Sequence, residues 1–152
     1  MRKYFFLFLF IFCFTLFPFA QEDDILKIES SVSPKNLSPS QEGKVILKLI
    51  LQEGLTINPQ PSFTIEFSPV EGIIFNRNKY TDSDLGIEIL EEMGEEYLNL
   101  KDPFEIPFRI SPDAAKGDHL LKGRIDYFVC SKEEGWCLKS HSKFTVSLFI
   151  NK

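Results

Sequence analysis

Apolar and polar residues alternate with a period of two along most of this chain. That period belongs to half-buried strands and does not fit a helix over the same stretches. Leu26, Ile28 and Val32 share one parity, with Lys27 and Glu29 on the other. Phe63, Ile65 and Phe67 alternate with Thr64, Glu66 and Ser68. Phe104, Ile106, Phe108 and Ile110 alternate with Glu105, Pro107 and Arg109. Pro107 points to a sheet edge or a bulge, because proline cannot donate to a ladder. Leu121, Ile125, Tyr127 and Val129 oppose Lys122, Arg124, Asp126 and Cys130; Phe144, Val146, Leu148 and Ile150 oppose Lys143, Thr145 and Ser147. Val45–Leu51 is apolar except for Lys48 and reads as a central buried strand. Proline and glycine punctuate the runs, and no long amphipathic helix or internal repeat interrupts them. Roughly seven to nine short strands at this spacing predict an all-β, immunoglobulin-like antiparallel β-sandwich.

The first residues are set apart from that pattern. Arg2 and Lys3 precede an apolar run, Tyr4–Phe17, and Pro18-Phe19-Ala20 leads into Gln21-Glu22-Asp23-Asp24. This reads as a signal peptide over 1–20, cleaved after Ala20, with an uncleaved N-terminal anchor as the alternative. Residues 21–152 then form one domain, secreted across the inner membrane into the periplasm, with no stable membrane insertion after cleavage. The formal net charge is −5, and losing Arg2 and Lys3 makes it more negative. A balance of that sign argues against nucleic acid and against a polybasic membrane surface.

Asp82–Glu96 holds seven acidic residues and no basic one. Gly86 and Gly94 favour a long loop with some extended structure over a short helix. A loop of that length is often functional, although an acidic solvated surface is the plainer reading.

Cys130 and Cys137 carry the chemistry of the exported part. Each falls on the polar parity of its strand, so the two strands make a hairpin closed by Ser131–Trp136. Opposed hairpin residues place their Cβ atoms roughly 4.5–5.5 Å apart, near the range that a disulfide spans. The predicted bond therefore joins neighbouring strands and does not cross the core. A plain stabilising disulfide is one reading of it. A reactive pair, open to an incoming thiolate, is another. A third is a copper or zinc site using Cys130, Cys137 and His141, with His119 as a remote fourth ligand, although the spacing matches no common zinc pattern. Lys132, Lys139 and His141 favour a thiolate, whereas Glu133 and Glu134 oppose it. No phosphate loop or serine nucleophile motif appears, and no cofactor is expected.

Three passages carry a resemblance: Tyr127-Phe128-Val129-Cys130, Gly135-Trp136-Cys137, and Gly54-Leu55-Thr56-Ile57-Asn58 with Phe63–Pro69 after it. Here the chain resembles the N-terminal periplasmic domain of the thiol:disulfide interchange protein DsbD and related free-standing domains. The resemblance implies an immunoglobulin-like domain whose cysteines, here Cys130 and Cys137, cycle between dithiol and disulfide. It implies thioredoxin-fold redox proteins and a membrane thiol transporter as partners. One cysteine would attack the partner disulfide and the other would resolve the mixed disulfide. It further implies a cap loop over the pair, for which Asp82–Gly94 is the candidate. The stretch after Cys137, Leu138-Lys139-Ser140, lacks the prolines often found there in that family. With the chain ending at Lys152, the expected relay runs through separate proteins. The alternative function is an exported β-sandwich interaction module with an inert disulfide.

Overall fold

The computed structural model describes residues 25–151; the signal-peptide expectation lies outside them. Twelve strands run in chain order: β1 (Leu26–Ser33), β2 (Asn36–Leu37), β3 (Glu42–Leu51), β4 (Leu55–Asn58), β5 (Thr64–Phe67), β6 (Ile73–Phe75), β7 (Lys79–Thr81), β8 (Ile89–Glu92), β9 (Glu95–Leu98), β10 (Phe104–Ile110), β11 (Gly117–Ser131) and β12 (Trp136–Ile150). They form an immunoglobulin-like β-sandwich. One sheet has the order β1-β3-β10-β6; the other has β2-β12-β11-β5-β7, with β4 also on β11. β8 and β9 make a separate two-stranded ribbon. The pairing is antiparallel apart from β2, which lies parallel to β12. Among the described residues no helix is long and apolar enough to cross a membrane.

The alternation seen in the sequence becomes the inner face of each sheet. Val45, Leu47, Leu49, Phe104, Ile106, Phe108 and Ile110 are buried from one sheet; Ile65, Phe67, Leu121, Ile125, Tyr127, Val129, Val146, Leu148 and Ile150 are buried from the other. Side chains of the two inner faces interdigitate as in any aligned sandwich. β3 corrects one expectation. It is not buried on both faces: Val45, Leu47 and Leu49 face inward, while Lys48 and Ile50 face out.

Two local features follow from packing. Gly123 lies opposite Phe144 in the β11–β12 ladder. A Cβ there would collide with the Phe144 ring, so the ring occupies the room that a side chain would need. Pro107 sits where its missing donor costs least. The Ile110 amide donates to Gln41 at 2.8 Å, so the alternating ladder turns the Pro107 nitrogen away from β3. On that side β6 reaches only Phe108–Ile110, and the nitrogen falls on an open stretch of edge.

Asp82–Glu96 is more ordered than a loop. Thr81–Asp84 is a turn in which the Asp84 carboxylate accepts from the Thr81 amide and hydroxyl, both at 2.9 Å. Those bonds, with Arg77 nearby, hold the Asp84 carboxyl below the usual range. The chain then folds into the β8–β9 ribbon, turning at Met93 (φ 53°) and Gly94 (φ 81°). The strand count exceeds the expected one because β2, β7 and this ribbon are too short or too polar to show a period.

Candidate functional site

β11 and β12 run as one long hairpin, and Cys130 faces Cys137 directly across it. The two are joined by a disulfide with Cα atoms 4.1 Å apart, the close spacing of a non-hydrogen-bonded antiparallel pair. Lys132–Gly135 close the hairpin. The Gly135 amide donates to the Ser131 carbonyl at 2.9 Å, and Gly135 takes a φ of 69°, which a side chain would disfavour. Ser131 is buried, and its hydroxyl accepts from the Glu134 amide at 3.3 Å. Trp136 lies on the inward parity, half-buried against the core, and its indole N–H donates to the Glu134 carboxylate.

The disulfide is on the outer face of its sheet. Tyr127 and Val129 are buried, whereas Cys130 is half-buried and Cys137 is exposed. On its other side Cys130 pairs with Thr56 of β4. A cleft of about 570 Å³ opens there, lined by Thr56, Asn58, Cys130, Trp136, Cys137 and the turn of the β8–β9 ribbon. Glu91, Gly94, Glu95 and Glu96 supply that last wall.

The ribbon is attached at two levels. Leu98 is buried in the core, with Leu100 packed behind it. Nearer the cysteines, the Lys132 ammonium lies 3.1 Å from a Glu92 carboxylate oxygen and 4.8 Å from the centroid of the Tyr97 ring. The turn end of the acidic segment thus forms one wall of the cleft that holds the cysteine pair. Of the span Asp82–Gly94, only Glu91 and Gly94 reach the cleft; Glu95 and Glu96 lie beyond its expected limit.

Of the cations thought to favour a thiolate, one is held in an ion pair. Lys132 is paired with Glu92. Lys139 and His141 lie within electrostatic reach of Asp126. Arg124 donates to both oxygens of Asp126, at 3.0 and 3.1 Å from its Nε. That pairing holds the Asp126 carboxyl below its ordinary value, against a smaller opposing effect of burial.

The four candidate metal ligands do not converge. His141 pairs with Asp126, four residues along β12 from Cys137, and His119 pairs with Leu148 toward the far end of the hairpin. The His119 ring contacts the Ala115 carbonyl at 2.8 Å. Among the described residues no three His, Cys, Asp or Glu side chains are grouped to hold an ion.

Thr56, Asn58, Glu95 and Glu96 were not expected at the site. Thr56 and Asn58 become recognisable only once β4 is known to lie on β11, a pairing that spans about seventy residues of chain and leaves no local signal.

Fold and site together define an immunoglobulin-like β-sandwich with an outward-facing, cross-strand disulfide in a cleft. No family model and no curated protein matches the chain. Among solved structures it is similar to the N-terminal periplasmic domain of ScsB from Proteus mirabilis, at 13% identity and a TM-score of 0.45, over 83% of this chain and 47% of that one. It is also similar to BcpA, the major pilin subunit of Bacillus cereus, at 9% identity and a TM-score of 0.42, over 81% of this chain and 40% of that one. A cohesin module from a Clostridium perfringens glycoside hydrolase gives 10% identity and a TM-score of 0.42, over 84% of this chain and 98% of that one. The chain thus spans less than half of the ScsB and BcpA chains. At these identities and scores none of the three informs the chemistry of the cysteine pair.

Proposed function

We propose that Cys130 and Cys137 are a thiol–disulfide exchange pair that relays reducing equivalents to or from thioredoxin-fold partners in the periplasm. One observation carries this reading: the disulfide lies across one hairpin on the outer face, at an open cleft. A bond placed only for stability does most when it ties distant parts of the chain. This one joins residues only seven apart, in strands already held by their ladder.

In the exchange, a partner thiolate attacks one sulfur of the pair and the S–S electrons leave on the other. The resulting mixed disulfide is resolved by the partner's second thiolate, which expels the first protein sulfur. The partner ends as a disulfide, and Cys130 and Cys137 end as thiols after taking up two protons. The reverse direction uses the same steps. A bonded pair persists in oxidising compartments, which supports the periplasmic placement.

Equilibration with glutathione or dithiothreitol couples tests this. The expected reduction potential is less negative than about −300 mV. A value well below that is the mark of a structural bond and would overturn the exchange reading in favour of an inert interaction module.

A further inference from the structure

We propose that the carboxylates around the cleft make the cysteine pair selective for cationic thiol and disulfide partners. The partner is a protein whose reactive cysteine sits in a basic surface. This deepens the exchange reading and rests on it.

The observations are geometric. Glu91, Glu95 and Glu96 line the same cleft as the two cysteines. Among the described residues, none of the three is in an ion pair. The one cation on that wall, Lys132, is already taken by Glu92 and the Tyr97 ring. Glu133 and Glu134 extend the same sign along the hairpin turn. The ribbon presents its charges in opposed like-sign pairs, Glu91 with Glu96 and Glu92 with Glu95, so they do not cancel one another. Carboxylates alone would be an ordinary solvated surface. Here Glu91, Glu95 and Glu96 line one wall of a cleft whose S–S bond an incoming sulfur must reach, and Cys137 is exposed to it. Like-signed groups lining a concave site focus their field on whatever enters. A cation approaching the sulfurs is attracted, an anion is repelled, and a basic rim on a partner would meet Glu91, Glu95 and Glu96 as it docks.

Small disulfides of defined charge serve as probes: cystamine (cationic), glutathione disulfide (anionic) and hydroxyethyl disulfide (neutral). Each oxidises the reduced protein. A protein thiolate attacks the probe and releases one thiol; the second protein thiolate releases the other. The two protons lost from the protein end on the two released thiols. Rates are read by mass shift after alkylation of the whole chain. Dividing the cystamine and glutathione disulfide rates by the hydroxyethyl disulfide rate removes changes in the protein's own thiol reactivity between salt conditions and between variants. The expected cystamine preference over glutathione disulfide is about tenfold at low ionic strength, shrinking toward unity near molar salt. Glu91→Gln/Glu95→Gln/Glu96→Gln is expected to cut that preference about threefold or more.

A preference that neither salt nor the triple substitution changes overturns the inference and leaves the exchange reading intact. Failure of all three probes, the neutral one included, removes both. The salt dependence of the unsubstituted protein decides the matter if the triple variant does not fold.

Discussion

At the scale of single residues the two cysteines are not equivalent. Cys137 is exposed at the strand end, whereas Cys130 is half-buried between Cys137 and Thr56. An incoming sulfur therefore meets Cys137 first, and exchange depends on access as well as on thiolate fraction. Cys130→Ala, which leaves Cys137 free, is expected to accumulate mixed disulfides with glutathione several-fold faster than Cys137→Ala. Equal rates would remove the asymmetry. Below the pair, Asp126 gives a pH signature. Its carboxyl is depressed by Arg124, so it binds its proton less readily folded than unfolded. Its contribution is complete above the unfolded value of about 3.9 and is lost as pH falls toward the folded value. Asp126→Asn is expected to cost less than about 1 kcal/mol at neutral pH, as for an exposed pair. That cost fades in acid, which urea titrations at two pH values would measure.

At the scale of elements, legibility depended on how a strand is buried. β10, β11 and β12 each have one face on the core and one in water, so their periods were plain and Cys130 and Cys137 could be paired by parity. The β8–β9 ribbon has no such face. Ile89 is exposed and Leu90 half-buried, and the turn end is all carboxylate apart from Met93 and Gly94. A ribbon stabilised from one end by Leu98 and Leu100 leaves no period to read. Its turn end carries a cost, because like charges directly opposite destabilise a pair. Glu96→Lys places a cation opposite Glu91. The substitution is expected to stabilise the ribbon by a few tenths of a kcal/mol, roughly the low end for cross-strand pairs. Slower amide exchange confined to residues 89–98 would show it; unchanged exchange there would mean that the ribbon is held by Leu98 and the Lys132 contacts alone.

Across the whole molecule, the sandwich and its cysteine pair depend on each other in one direction only. The architecture was legible because alternation fixes which face of each strand is wet. The order β1-β3-β10-β6 and the placement of β4 on β11 were not, because long-range pairing leaves no trace in local period. That same organisation predicts that the disulfide is dispensable for folding. It ties Cys130 to Cys137 within one hairpin, and the core that joins the two sheets lies entirely on the opposite face of β11 and β12. Closing so short a loop is worth about 2.5 kcal/mol by the chain-entropy relation. A core truncation such as Ile106→Ala, at a fully buried position, is expected to cost about 2–5 kcal/mol. Cys130→Ser/Cys137→Ser is therefore expected to fold with native circular dichroism and to lose no more than about 2.5 kcal/mol in denaturant titrations. Its thiol exchange would be abolished. A double variant that does not fold would show that the bond is structural, and the loss of exchange would then say nothing about a relay. A folded, inactive variant separates the two roles, because the sheets hold the hairpin in place whether or not its sulfurs are joined.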